Sequence, residues 1–169
     1  MKMDRFSRQT ILPELGRKGQ EKLHSANVLV VGAGGLGCPA ILYLAAAGVG
    51  TIGIADGDHV TLQNLNRQVL FGIDDLNSKK PAAAAKTINR LYPDINIKVY
   101  NCYLTVENAH EIVPSYDLII DGTDNFASRY LINDAAVLFE KPLVYGTVFK
   151  FEGQIALFNG GRGTANYRD

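Results

Sequence analysis

The feature that most constrains this chain is the stretch at residues 26–55, which carries no charged residue and is broken by glycines. The short β-branched segment Val28–Val31 runs directly into four glycines between positions 32 and 37. Leu36–Ala47 has the length and alanine content of a helix, and Thr51–Ala55 is typical of a second buried strand. Because helices cover both faces of a parallel sheet, its strands are apolar throughout. The stretch therefore predicts a strand, a turn, a helix and a second strand.

The same stretch is long enough to raise the alternative of a membrane-spanning helix. Seven glycines and Pro39 interrupt it. Such a pattern suits one continuous lipid-facing helix poorly. We therefore expect no membrane span in this chain.

The rest of the chain alternates between strand and helix patterns. Helices are predicted at 80–91, 105–113 and 125–140, and strands at 95–100, 117–120, 143–146 and 154–158. This alternation predicts an α/β fold, a Rossmann-like, doubly wound, mostly parallel sheet with helices on both faces. No internal linker is visible, so we expect one nucleotide-binding domain over 1–169, with a helical arm at 1–25 and a core at 26–169.

Charge and cysteine usage exclude several classes of protein. Seventeen basic residues balance seventeen acidic ones without long runs of one sign, which argues against a DNA-binding surface. Cys38 and Cys102 are the only cysteines and the start is polar, so we expect no disulfide framework and a cytoplasmic location. We expect neither thiol to be a nucleophile, and Cys38 to be buried. The three histidines have no metal-ligand spacing.

Gly32, Gly34 and Gly37 form a GxGxxG motif between the predicted strand and helix, and Gly35 is an additional glycine. Glycines at such a turn let the backbone approach a phosphate, and the helix N-terminus offers unpaired amides. Asp56 ends the second predicted strand, roughly 20 residues beyond the motif, where a carboxylate can bind ribose hydroxyls. These features alone fit ATP and a nicotinamide or flavin dinucleotide about equally, and a purely structural turn and strand cap remain an alternative.

Polar and cationic residues that follow Asp56 favour ATP. Asn64 and Arg67 lie in the segment QNLNRQVLF, and Lys80 opens the next predicted helix. A triphosphate carries more negative charge than backbone amides can neutralise, so Arg67 and Lys80 are reasonable phosphate clamps and Asn64 a neutral donor. A hydride-transfer site has no need of these residues. Solvated surface charge is the alternative for each cation taken singly.

Asp124 is the candidate metal ligand. It lies four residues beyond the predicted strand 117–120, in the crevice where open α/β sheets bind ligands. Magnesium prefers one or two carboxylates together with phosphate oxygens and water, so we predict that Asp124 holds magnesium with ATP. Asp121 is the rival, and its alternative role is to cap the turn or the following helix.

Several segments, in their order and spacing, resemble the MoeB/ThiF/HesA group, relatives of the ubiquitin-activating enzymes. They are RFSRQ at 5–9, VLVVGAGGLGCP at 28–39, DGDHVTLQNLNRQVLF at 56–71, Lys80, DGTDNFASR at 121–129 and EGQIALF at 152–158. The resemblance extends over nearly the whole chain. The combination is much more specific than the glycine motif.

The resemblance implies ATP-dependent adenylation of the C-terminal glycine carboxylate of a ubiquitin-like sulfur carrier ending in Gly-Gly, as in thiamine or molybdopterin biosynthesis, with release of pyrophosphate. It implies a nucleotide site that comprises Gly32, Gly34, Gly35, Gly37, Asp56, Gln63, Asn64, Arg67, Lys80, Asp124 and Asn125. Arg8 matches an arginine that reaches into the partner subunit's ATP site, which implies a homodimer. Arg8, Arg67 and Asp124 are the residues expected to act in catalysis.

The chain also departs from this group. Where many members carry a zinc-binding CYRC motif, this chain has NYRD at 166–169. Because Asn166 and Asp169 replace the thiolates, we predict no structural zinc. Members of the group are longer, so we expect this chain to be the adenylation portion without the parts that hold the carrier. Activation of a tRNA base, a nicotinamide-dependent reductase and a non-catalytic binding module remain alternative functions.

Overall fold

The computed structural model describes residues 3–161 and 163–169. The helices are α1 (Ser7–Thr10), α2 (Gly16–Ser25), α3 (Gly37–Ala47), α4 (Lys80–Leu91), α5 (Val106–Ile112) and α6 (Phe126–Leu138). The strands are β1 (Asn27–Val31), β2 (Thr51–Ala55), β3 (Asn96–Tyr100), β4 (Leu118–Asp121), β5 (Leu143–Phe149) and β6 (Glu152–Phe158). Short 3-10 turns lie at Met3–Phe6, Leu62–Asn64, Ile73–Asp75 and Val113–Ser115.

The six strands form one sheet in the order β3-β2-β1-β4-β5-β6. The first five run parallel, and β6 pairs antiparallel with β5 at the edge. The chain winds outward from β1 to β3 on one side and then returns to continue with β4 on the other. The predicted doubly wound fold is confirmed. Its topological switch point lies between β1 and β4, where open α/β sheets form a crevice.

Helices cover both faces of the sheet, and alternate residues of β1 enter the two resulting cores. Val28 and Val30 pack with α3 and α4. Leu29 and Val31 pack with α5 and α6. Because successive strand residues point to opposite faces, every residue of this run is apolar. Burial on both faces of the sheet explains why the segment carries no charge and has a composition similar to that of a membrane span. No helix within the described ranges is both long and apolar enough to cross a bilayer.

The hairpin of β5 and β6 is longer than predicted. Pairing runs from Leu143 opposite Phe158 to Phe149 opposite Glu152, whereas the sequence suggested that β5 ends at 146 and β6 starts at 154. The sequence predicts that the strand ends at Gly146, but pairing with β6 extends β5 beyond this residue. The turn is made at Lys150, which adopts a left-handed conformation with φ 55°.

Helix boundaries follow the prediction closely. The bounds of α4 match, and Pro81 occupies its first turn. Thr105 and Asn125, which were predicted inside α5 and α6, are instead their N-caps. Each accepts a hydrogen bond from a backbone N–H in the first turn, at 3.3 Å from Asn108 and 2.9 Å from Ser128. Their side chains therefore satisfy amides that the helices leave unpaired.

Candidate nucleotide site

A cleft of about 850 Å³ opens at the carboxyl ends of the central strands. Ten of the predicted site residues line it, together with the neighbouring Leu36; the ten are Gly32, Gly34, Gly35, Asp56, Gln63, Asn64, Arg67, Lys80, Asp124 and Asn125. Gly37 and Arg8 are the two predicted residues that are not among the lining residues. The volume is in the range of small-molecule and cofactor sites.

The glycines between β1 and α3 have two different tasks. Gly32 has φ +92°, and a Cβ on Gly37 would lie 1.8 Å from the carbonyl oxygen of Gly32. These two glycines, with Gly122 against them, let the turn pack on the end of β4. Gly34 instead faces open space, with its nearest neighbouring atoms 4.0 Å from the position of a Cβ. The expected phosphate contact thus fits Gly34, whereas Gly37 has a packing role.

Asp56 joins the glycine turn to the end of β2. One carboxylate oxygen accepts a hydrogen bond from the Ala33 amide at 2.8 Å, and the other accepts one from the Asp58 amide at 2.8 Å. The side chain is buried but lines the cleft. Each carboxylate oxygen can accept more than one hydrogen bond, so the strand-cap role and the predicted ribose contact are compatible.

The two predicted cations, Arg67 and Lys80, differ in exposure and in their contacts at the cleft. Arg67 lies beside Gly35, with its Cδ 3.4 Å from where a Cβ of that glycine would stand. Its Nη1 donates to the carbonyl of Gln63 at 3.3 Å and to Asn66 Oδ1 at 3.1 Å. Lys80 is enclosed and forms an ion pair with Asp58 at 2.8 Å. One guanidinium is therefore exposed over the glycine turn, and one ammonium is built into the wall.

The two aspartates at the carboxyl end of β4, Asp121 in the strand and Asp124 in the loop after it, are distinguished by their contacts. Asp121 is 2% exposed, and its Oδ1 accepts hydrogen bonds from the Thr123 amide at 2.8 Å and hydroxyl at 2.6 Å. Burial raises the pKa of this carboxyl group. Asp124 is exposed and lines the cleft. Asp121 thus has the turn-capping role, and Asp124 is the carboxylate that a magnesium ion can reach.

Sequence reasoning missed several side chains of this cleft, and four of them are polar groups with notable contacts. They are Asp58, Gln68, Tyr103 and Arg129. Gln68 is 3% exposed, and its Oε1 has no hydrogen-bond partner, while its Nε2 lies 4.0 Å from the Cβ position of Gly34. A buried amide oxygen without a hydrogen-bond donor beside a glycine turn is costly unless a ligand satisfies it. Both Gln68 and Arg129 stand inside the recognised motifs, which was the available signal.

Tyr103 and Leu104 form the wall of the cleft beyond β3. The Tyr103 hydroxyl donates a hydrogen bond to Asp58, and its ring covers Gly57, where a Cβ would lie 2.5 Å from Cε2. Leu104 lines the cleft on this side with an apolar side chain. The wall joins an apolar surface to the end of β2.

Arg8 lies away from this cleft, on α1, and is exposed. The arm that carries it is fixed to the loop between α3 and β2. Phe6 is buried there, with ring atoms 2.6 Å from a Cβ position on Gly48, and Gln20 Nε2 donates to the Ala47 carbonyl at 2.9 Å. This loop leads into the amino end of β2, whereas the cleft is at the carboxyl end. Arg8 therefore does not line the cleft of its own chain.

The NYRD segment at 166–169 is held by hydrogen bonds. Asp169 Oδ2 accepts from the Asn166 amide at 2.8 Å and from its Nδ2 at 2.9 Å. Asn133, which is buried, accepts from the Tyr167 amide at 2.8 Å. Within residues 3–161 and 163–169, no group of three or more His, Cys, Asp or Glu side chains is arranged to hold a metal. Side-chain amide and carboxylate groups thus bond to each other at positions 166 and 169.

Comparison with known proteins places these features in a family. The sequence model of the ThiF family matches residues 6–169. The sulfur carrier protein adenylyltransferase of Thermus thermophilus is 50% identical over 157 residues, which are 93% of this chain and 58% of that protein. The probable adenylyltransferase/sulfurtransferase MoeZ of Mycobacterium tuberculosis is 52% identical over 169 residues, with coverages of 98% and 43%.

A solved structure agrees with the same grouping. The E. coli tRNA N6-threonylcarbamoyladenosine dehydratase TcdA, in complex with ATP, superimposes with a TM-score of 0.80 and 27% identity. The match covers 88% of this chain and 62% of that chain. This chain spans about half the length of the curated relatives it matches.

Proposed function

The chain belongs to the ThiF family, and on that premise we propose that it is the nucleotide-binding part of an enzyme that adenylates the C-terminal carboxylate of a ubiquitin-like sulfur carrier. The observation that carries the proposal is the convergence of a glycine turn, two cations and an accessible carboxylate in one cleft. Relatives named as adenylyltransferases support the same activity.

Nucleotide binding follows from the layout of the cleft. Asp56 at the end of β2 accepts the ribose hydroxyls, and Leu104 lies on the adenine side. The turn at Gly34 and Gly35 offers amides to the phosphates, because helix N-termini bind anions. Arg67 adds a guanidinium to this turn. The neutral donors Gln63, Asn64 and Asn125 line the same cleft.

The residues present fit a magnesium ion that arrives with ATP. Asp124 supplies one accessible carboxylate, and phosphate oxygens and water complete the shell that magnesium prefers. A bound magnesium ion would neutralise charge on the phosphates. Asp124 holds it beside the end of β4.

The reaction needs no protein nucleophile. An oxygen of the carrier carboxylate bonds to the α-phosphorus, and the bond between that phosphorus and the bridging oxygen of the β-phosphate breaks. The products are an acyl-adenylate and pyrophosphate, and no proton has to be transferred. Arg67 and Lys80 stabilise charge on the phosphoryl oxygens, and the cleft aligns the two anions.

We further propose that the active enzyme is a cytoplasmic homodimer. Arg8 is exposed on an arm fixed away from the cleft of its own chain, so a contribution to catalysis would come through the partner subunit's cleft. Both cysteines in the chain are free thiols, which is compatible with a reducing compartment.

The decisive experiment incubates the full-length protein with ATP, magnesium and a purified ubiquitin-like carrier ending in Gly-Gly. Mass spectrometry of the carrier should detect an added AMP. Asp124→Ala and Arg67→Ala should abolish the adduct, while Arg90→Gln, which alters an exposed residue of α4, should not. Absence of the adduct with every carrier from the same genome, together with tight NADH binding, would favour the reductase alternative.

A further inference from the structure

Arg129, in the first turns of α6, places a guanidinium in the cleft that the proposed chemistry has not used. Its Nη2 donates to Thr147 Oγ1 at 2.7 Å and to the Thr123 carbonyl at 3.4 Å. The guanidinium carbon lies 5.4 Å from the ring centre of Phe126 and 5.6 Å from that of Tyr145. These contacts from β5, the β4–α6 loop and two rings hold the group in one orientation.

Arg129 forms no direct ion pair in the part of the chain that the structure describes. Within residues 3–161 and 163–169, the ion pairs are Lys80 with Asp58, Lys86 with Asp75 and Arg168 with Asp134. Both hydrogen-bond acceptors of Arg129 are neutral, and its Nε is buried without a partner. The charge of Arg129 acts on the nearby Asp121 carboxyl group, but Asp121 directs its Oδ1 to Thr123 and forms no direct ion pair with the arginine. A half-buried guanidinium in this state is a binding group for an external anion.

The position of Arg129 in the fold indicates which anion it binds. In the sheet order, β2 and β1 lie on one side of the switch point and β4 and β5 on the other. Asp56, Arg67 and Lys80 belong to the first side. Arg129 and Thr147 belong to the second side, where Asp124 would hold magnesium, and all three line the cleft. The reaction brings two anions together, and the triphosphate already has its own cations on the side of β2.

We propose that Arg129 binds the attacking carboxylate of the carrier's terminal glycine. This inference rests on the proposed function and assigns the second substrate to a residue. Nη2 is engaged by Thr147 and Thr123 and Nε is buried, so Nη1 is the nitrogen that donates charge-assisted hydrogen bonds to the carboxylate. Thr147, Phe126 and Tyr145 position the guanidinium. The α-phosphate is the other anion within the same chemistry, and separate binding measurements for the two substrates distinguish them.

The test compares the full-length protein with Arg129→Gln, Arg129→Lys and the matched surface variant Arg90→Gln. The probes are magnesium-ATP and a Gly-Gly-terminated sulfur carrier from the same genome, prepared once as the free acid and once as the C-terminal amide. Carrier binding is measured by calorimetry in the presence of α,β-methylene-ATP, which prevents turnover. The comparison of acid and amide isolates the carboxylate contact.

The wild type should bind the acid at least about tenfold more tightly than the amide, as expected for a charge-assisted contact. Arg129→Gln should lose this preference while its magnesium-ATP affinity stays within about twofold, and Arg129→Lys should keep part of the preference because it keeps the charge but not the planar guanidinium. Arg90→Gln should behave as the wild type.

Three results would overturn the inference. Retention of the acid preference in Arg129→Gln would show that the carboxylate is held elsewhere. Equal losses of carrier and magnesium-ATP affinity would show that Arg129 only supports the loop after β4. Failure of the wild type to adenylate any carrier would contradict both the proposed function and this inference. If the wild type adenylates the carrier but Arg129→Gln keeps the acid preference, only the inference about Arg129 is contradicted.

Discussion

The ammonium group of Lys80 lies 2.8 Å from Oδ2 of Asp58, with the lysine side chain 7% exposed and the aspartate side chain 49% exposed. The hydrogen bond from Lys80 and then that from Tyr103 lower the pKa of Asp58 below its ordinary value. The Lys80 amide also donates to the Asp58 carbonyl at 3.0 Å. Asp58 therefore fixes both the start of α4 and the charged end of its first side chain at the wall of the cleft.

Lys80→Met should weaken magnesium-ATP binding by roughly 10- to 100-fold, because it removes a preorganised cation from the phosphate site. Asp58→Asn should weaken binding less, since the ammonium remains but loses its anchor. Lys86→Met is the matched control, because Lys86 lies on the same helix, is exposed and pairs with Asp75. Calorimetric titration gives the affinities, and wild-type affinity in Lys80→Met would contradict a phosphate role.

The ion pair of Asp58 with Lys80 also predicts how the stability of the protein depends on pH. The folded-state pKa of Asp58 is lowered, so its contribution to stability is present above the unfolded-state pKa and is lost as the pH falls through the folded value. The difference in melting temperature between the wild type and Asp58→Asn should therefore be full at neutral pH and shrink below about pH 4. If the difference in melting temperature stays constant down to pH 2, the ionised carboxylate of Asp58 makes no net contribution to stability.

Gly34→Ala and Gly37→Ala should have opposite consequences. A Cβ on Gly37 would meet the Gly32 carbonyl oxygen at 1.8 Å, so this variant should lose at least about 2 kcal/mol of unfolding free energy through overpacking. A Cβ on Gly34 meets nothing closer than 4.0 Å, so Gly34→Ala should keep its nucleotide-free stability and bind ATP at least about tenfold more weakly. Urea unfolding and calorimetry measure the two effects. Equal destabilisation by both variants would refute this division of tasks.

The parallel sheet could be predicted from the sequence because the patterns that indicate its strands and helices are local. Each pattern involves only residues that are close in the chain: the apolar segment before Gly32, the alanine-rich helix after it, and Pro81 in the first turn of α4. The edge hairpin was misjudged because its length depends on pairing between β5 and β6. Gly146 is tolerated in β5 since Ile155 of β6 pairs with it, and no local pattern reveals such a contact.

The candidate site was predictable where a motif placed a residue at a strand end, as for Asp56 and Asp124. It was not predictable where a side chain is held by a partner far away in the chain. Tyr103 and Asp58 are 45 positions apart, and Arg129 and Thr147 are 18 apart. The distinction between Asp121 and Asp124 also needed the structure, because two carboxylates in one loop differ only in burial and hydrogen bonding.

The two cysteines should differ sharply in reactivity. Burial raises the pKa of Cys38 to about 11, and its thiol donates to the Ala33 carbonyl at 3.3 Å, so it is protonated and shielded at neutral pH. Cys102 is exposed. Maleimide at pH 7.5 should modify one thiol in the native chain and both in denaturant, as counted by mass spectrometry. Cys102→Ser should abolish the native reaction, and rapid native modification of Cys38 would contradict its burial.

The proposed role of Arg8 predicts complementation between two inactive variants. Arg8→Ala and Asp124→Ala homodimers should each fail to adenylate the carrier. In a mixed dimer, the cleft of the Arg8→Ala subunit retains its own Asp124 and would receive Arg8 from the other subunit, so one intact site is restored. Random reassortment of equal amounts should then recover about one quarter of the wild-type activity.

The measurement for Arg8 is carrier adenylation after the two variants are unfolded and refolded together, with separately refolded variants as the control. Sedimentation of the mixture establishes that dimers have formed. Recovery of adenylation activity in the mixture but not in the separate samples supports a contribution of Arg8 across the interface. If Arg8 acted within its own chain, every cleft in the mixture would still lack either Arg8 or Asp124. Activity no higher than in the separate samples, in a preparation that is dimeric, would exclude the exchange of Arg8 between subunits.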